Sequence, residues 1–177
     1  PISKYIVKHF VPQAWVGDDA YPTKDSSVFL ENHRFITKQV AELIRRQHDS
    51  INGVLLFANL CWFRNAYDFH NIEPYPVYNS VKFSLSPILV SMESTNRHFW
   101  NGTNLPTYVH IINDNLDGRE LNNLVLEYSI VDKTGSVITT RSQKIQNVKH
   151  YTTARIRMII EIPEKLSQPG ANYILRF

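Results

Sequence analysis

Between Asn59 and His70 the chain gathers side chains that suit one kind of ligand: Asn59, Trp62, Phe63, Arg64, Asn65 and Asp68 lie within ten residues, with Tyr67 among them. A sugar ring offers an apolar C–H face that stacks on an indole, and hydroxyls that need hydrogen-bond partners. A Trp beside Asn, Arg and Asp supplies both. The candidate substrate-binding residues are therefore Asn59, Trp62, Phe63, Arg64 and Asp68. The bland alternative is a Trp that only packs the rim of a fold.

Other groups carry less. The adjacent Asp18 and Asp19 sit in no Asp-x-Asp-x-Asp-Gly loop and read as a solvated turn. Seven His are scattered without a His-Glu-x-x-His or Cys-His cluster, so no metal site and no cofactor are expected. The single Cys61 has no partner for an internal disulfide and, in its apolar context, reads as a small core residue. Asn101-Gly102-Thr103 is a formal glycosylation sequon, relevant only in a eukaryotic secretory pathway.

The elements that must position the Trp62 loop come next. Residues 53–60 are apolar apart from Asn59, the pattern of a strand covered on both faces, and the loop follows at its exit. Ligand sites of barrels lie at such C-terminal strand ends. Before it, Ser27 to Gln47 predicts a helix: Ser26 or Ser27 caps it, and Phe29, Ile36, Val40, Leu43 and Ile44 line one face. Pro74 to Leu85 predicts a second, shorter helix with Val77, Tyr78, Val81 and Leu85 inward, ended by Ser86-Pro87.

Beyond Pro87 the period changes to two. Ile88 to Met92, Thr107 to Ile112, Leu124 to Ile130, Val137 to Ile145, Ala154 to Ile162 and Tyr173 to Phe177 are six expected strands, with turns at Asp132-Lys133-Thr134-Gly135 and near Asp117-Gly118. Such spacing suggests an immunoglobulin-type β-sandwich.

Composition sets outer bounds. The chain has 177 residues, 43% of them hydrophobic, enough for a core, and a net charge of +3. Residues 1–80 hold eight Lys/Arg and eight Asp/Glu, so the excess lies in residues 81–177. No basic run with interleaved aromatics marks a nucleic-acid groove, and no apolar run reaches the roughly 20 residues of a membrane span. A final segment that alternates and then stops suggests excision from something longer. The compartment stays open.

Four phrases in order resemble the end of the catalytic barrel of glycoside hydrolase family 2, in the β-mannosidase, exo-β-glucosaminidase and β-galactosidase group. They are Gly53 to Phe57, Asn59 to Trp62, Pro74 to Val81, and Ser86-Pro87-Ile88-Leu89-Val90-Ser91. Gln39, Arg45 and Arg46 stand where the family's last barrel helix carries a Gln and an Arg pair, and Val109-His110-Ile111-Ile112-Asn113-Asp114 is similar to a phrase of its next domain. The resemblance implies an α+β chain: residues 1–85 as the C-terminal fragment of a (β/α)8 barrel, residues 86–177 as an immunoglobulin-like antiparallel β-sandwich. It further implies a parent enzyme that hydrolyses terminal β-glycosidic bonds with retention, with Trp62 and Asn59 lining the glycone pocket. Phe57 and Phe63 depart from the family's fuller Trp-rich pattern.

Pro1-Ile2-Ser3-Lys4-Tyr5 is similar to the phrase that bears the nucleophilic glutamate, with Lys4 in the carboxylate's place. A Lys cannot serve there, so the isolated chain is expected to be inactive. The implied partners are a β-linked carbohydrate and the remainder of the parent chain; the family's polysaccharide-degrading roles point to the periplasm or secretion. An isolated barrel strand apolar on both faces predicts, separately, self-association into a homo-oligomer, and the charge and hydropathy patterns predict no nucleic acid and no membrane span. A non-catalytic carbohydrate-binding module and a structural interaction domain are the alternatives.

Overall fold

A computed structural model describes residues 26–47, 50–51, 53–54, 59–94, 98–166 and 173–177. The Pro1–Tyr5 phrase with Lys4, Asp18-Asp19 and the middle of the apolar run, residues 55–58, lie outside the described residues. The described part is mixed helix and antiparallel sheet, mostly β. It divides into two compact units, one of residues 1–45 and 51–86, the other of residues 46–50 and 87–177.

Helix α1 spans Ser26–Arg46 and belongs to the first unit up to Arg45. Of its apolar stripe Phe29, Ile36, Val40 and Leu43 are exposed, and among the described residues of the helix Ala41 and Glu42 are buried. Lys38 holds the buried Glu42 carboxylate at 2.7 Å and lies 5.8 Å from the Phe83 ring centroid. The expected strand over residues 53–60 needs correction at its end. Asn59–Trp62 is a 3₁₀ turn, and Gly53 and Val54 are in no strand. A short apolar run carries no period that separates strand from helix, and 3₁₀ turns are common connectors. Cys61, expected in the core, is exposed on this turn.

The turn leads into a two-residue strand, β1 (Phe63–Arg64), paired antiparallel with β2 (Glu73–Pro74). Helix α2, Pro76–Ser84, follows with Pro at its start, where a missing N–H costs no helical bond. Val77 and Val81 are buried as expected, joined by Ser80 and Ser84, whereas Leu85 is exposed just past the helix end. Arg45 closes the end of α2: its Nη1 donates to the carbonyls of Ser84 (2.7 Å) and Ser86 (2.6 Å). A cation there satisfies carbonyls without helical partners and meets the negative end of the helix dipole.

The second unit holds two three-stranded antiparallel sheets, ordered β3-β4-β7 and β6-β5-β8. The strands are β3 (Ile88–Met92), β4 (Asn104–Asn113), β5 (Val125–Val131), β6 (Val137–Lys144), β7 (Thr152–Glu161) and β8 (Ile174–Arg176). Register places Val109 opposite Ile156 and Met92, which puts the apolar positions of three strands on one face. That face meets Leu126 and Tyr128 of β5, and Val109, Leu126, Tyr128, Met158 and Ile160 form the core. Tyr128, 2% exposed, accepts a hydrogen bond on its hydroxyl from the Glu161 N–H at 3.1 Å, so its polar end is satisfied between the sheets.

Two turns show how sequence fixes local geometry. At the β5–β6 hairpin Asp132 Oδ1 accepts from the N–H groups of Thr134 and Ser136 (2.8 and 3.0 Å), and Gly135 takes φ +88°, which glycine adopts without strain. After β4, the fully buried Asn113 donates to the carbonyls of Arg119 and Val148 and accepts from the side chain of Asn115 at 2.6 Å. Asn115 in turn accepts from the Arg119 N–H, so the side chains of Asn113 and Asn115 close a polar knot.

Candidate functional site

The Trp62 loop is built on the β1–β2 ribbon. Phe63 stands opposite Pro74 and Arg64 opposite Glu73, and the Tyr75 N–H donates to the Trp62 carbonyl at 2.7 Å, which ties the 3₁₀ turn to the start of α2. Trp62 and Phe63 are half-buried. The Phe63 ring lies 5.1 Å from that of Tyr78, tilted by 51°, in ordinary aromatic packing. Phe63 is thus engaged with α2.

Arg64 points elsewhere. Its guanidinium sits 3.6 Å from the Glu73 carboxylate and 5.9 Å from the Tyr75 ring centroid, with both charged groups more than half exposed. A pair so exposed adds little stability. Its position still leaves the guanidinium within reach of a ligand over Tyr75.

Asp68 has a structural task. One of its oxygens accepts from the His70 N–H (3.1 Å) and the other from Asn71 Nδ2 (2.7 Å), and these bonds, the Asn71 side chain first, lower its pKa. Asn65 sits at φ +53°, a region Asn tolerates, and its Nδ2 donates to the Asn71 carbonyl. The loop between the ribbon strands is therefore closed by its own polar side chains, and Tyr67 and Phe69 stand out from it, 93% and 97% exposed.

Of the residues expected to bind, Trp62, Phe63 and Arg64 share the ribbon and its approach, and Asp68 caps its loop. Asn59 opens the 3₁₀ turn; its side chain lies outside the described residues. Sequence reasoning missed Glu73 and Tyr75 as neighbours of Arg64. Tyr75 is flanked by Pro74 and Pro76, a setting that already argued for a fixed turn.

A second polar cluster also escaped it. Glu93, just after β3, accepts from His110 Nε2 (2.5 Å) and from Arg155 through Nε (2.9 Å) and Nη2 (3.2 Å). The Arg155 guanidinium carbon lies over Tyr108, 3.5 Å from the ring centroid. The Arg155 and His110 bonds hold the Glu93 pKa down at about 2. Its members sit 17 and 62 residues from Glu93, so only the strand register brings them together.

Among the described residues no group of His, Cys, Asp and Glu is arranged to hold a metal, and no helix is long and apolar enough to cross a membrane. The chain matches no family model, no curated protein and no solved structure.

Proposed function

We propose that the chain is the C-terminal part of a glycoside hydrolase family 2-like enzyme, with residues 1–85 ending a (β/α)8 barrel and residues 86–177 forming an immunoglobulin-like sandwich. The parent hydrolyses terminal β-glycosidic bonds with retention, which uses two carboxylates about 5–5.5 Å apart. This chain contributes binding, not the catalytic pair: Trp62 offers the sugar a stacking face, and Arg64 with Asn59 offers hydrogen bonds at the pocket rim.

The observation that carries the reading is the ordered run of four family-like phrases from Gly53 to Ser91. The sheet orders β3-β4-β7 and β6-β5-β8 support its second half, since A-B-E and C′-C-F strands of an immunoglobulin-type sandwich run in that order. The test is to express the whole reading frame and offer it nitrophenyl β-mannoside, β-glucosaminide and β-galactoside. At least one should be cleaved with its anomeric configuration retained, and Trp62→Ala should raise KM about tenfold. A frame too short for a barrel of about 250 residues, or no cleavage of any of the three, overturns the proposal.

A second reading, a non-catalytic interaction module, is favoured by the exposed stripe Phe29, Ile36, Val40 and Leu43 on α1, because exposed apolar surface of this kind marks a contact face. Concentration-dependent sedimentation with no sugar affinity and no hydrolysis would select it.

A further inference from the structure

Strands β6 and β7 are the outer strands of their sheets, so the seam between them is not closed by a paired strand among the described residues. Toward one end the seam is bridged by charge: Arg141 of β6 donates through Nε and Nη2 to Glu161 of β7, at 3.2 and 3.1 Å. Toward the other, where β6 gives way to the connection into β7, it opens into a groove of about 440 Å³. That volume is within the roughly 300–1,000 Å³ of small-molecule sites.

The groove has a floor and a rim of different chemistry. Ile145, Ala154 and Ile156 line it while half-buried, and Ile145 and Ile156 also pack against the core cluster. Gln143, Gln146 and Asn147 bring three carboxamides, all on exposed residues. No carboxylate lines it among the described residues; of its two cationic residues, Arg155 is engaged by Glu93 and Tyr108, which leaves the Lys144 ammonium. A carboxamide donates and accepts at once, as a hydroxyl does, and an aliphatic floor suits the C–H face of a pyranose ring. Amides outnumber charges, so hydroxyls are the groups best matched.

We infer that this groove is a second carbohydrate site, for a neutral β-linked sugar unit, in the β-sheet unit and separate from the Trp62 loop. It rests on the glycosidase reading only for the choice of sugar. A site of this kind would hold a glycan chain near the enzyme without touching the scissile bond.

The experiment is a titration of the ¹⁵N-labelled chain with β-1,4-linked mannotetraose, followed by backbone amide shifts. Saturable shifts at residues 143–147 and 154–156 are expected. Gln146→Ala and Asn147→Ala should each weaken binding by about fivefold, the loss of a hydrogen bond or two of ordinary strength, while Trp62→Ala leaves it unchanged. Both amides are exposed, so the variants should keep the wild-type spectrum elsewhere. Absence of saturable shifts in the groove, or shifts abolished by Trp62→Ala and indifferent to Gln146→Ala, overturns the inference. Groove binding without hydrolysis by the whole enzyme would sink the glycosidase reading alone, and hydrolysis without groove binding would sink this one alone.

Discussion

A buried polar atom is tolerated only with a partner, and several residues here are defined by that demand. Asn113 is fully buried and makes three side-chain hydrogen bonds shorter than 3.2 Å. Asn113→Ala removes all three and leaves a void in their place, while the Val148 and Arg119 carbonyls keep the Leu121 N–H and Asn115 Nδ2 as donors, so a loss of about 2–3 kcal/mol in urea unfolding is expected. Tyr128→Phe keeps the ring in the core and deletes only the acceptor for the Glu161 N–H, which should cost about 1 kcal/mol by the same measurement. A ratio near one between the two losses would show that the knot after β4 is not closed as described. Cys61 makes the opposite case. It is the single thiol of the chain and is exposed, so the native protein should react with one equivalent of a thiol reagent without denaturant.

At the scale of elements, the legible parts are those where one face is wet and the other dry. In β7, Met158 and Ile160 are buried while Arg155, Arg157 and Glu161 are exposed, and that alternation was plain in the sequence. Strand β6 is exposed at nearly every position, yet its Thr-rich run and the Asp132–Gly135 turn still marked it. Where burial does not follow composition, the reading failed. The stretch ahead of the Trp62 loop is apolar without a period, and its end is a 3₁₀ turn with an exposed Cys61. Helix α1 has the right period, but periodicity says that a stripe exists and not what covers it. The candidate site was legible as a set of residue types around Trp62; its internal bonds, such as Asp68 to Asn71, depend on a turn at Asn65 that no pattern announces. The exposure of the α1 stripe has a measurable consequence. Leu43→Gln should change the stability of the chain by less than about 0.5 kcal/mol, whereas Val77→Ala, at a position 1% exposed, should cost about 2 kcal/mol. Comparable losses from both would mean that the stripe is covered in solution.

For the whole molecule the governing variable is pH, because its resolved carboxylate shifts act in one direction. Glu93 is held at about 2 by the bonds from Arg155 and His110, against an ordinary value of 4.5, and the pKa values of Asp68 and Asp132 are lowered by hydrogen bonds within their loops. A carboxyl with a depressed pKa in the folded state binds protons there less readily than in the unfolded chain. Between pH 4.5 and about 2 the unfolded chain takes up the Glu93 proton first, so stability present above that window is lost as the pH falls through it. Protonating carboxylates also raises a net charge that is already +3, and the self-repulsion adds in the same sense. The urea midpoint should therefore be flat from pH 7 to 5 so far as these carboxylates govern it, and should fall below pH 4.5. Glu93→Gln separates the local term from the global one: it keeps an acceptor for His110, lowers stability at pH 7 by about 1 kcal/mol, and makes the fall between pH 4.5 and 2 shallower. An unchanged slope in that variant would assign the acid loss to general repulsion and remove Glu93 from the account.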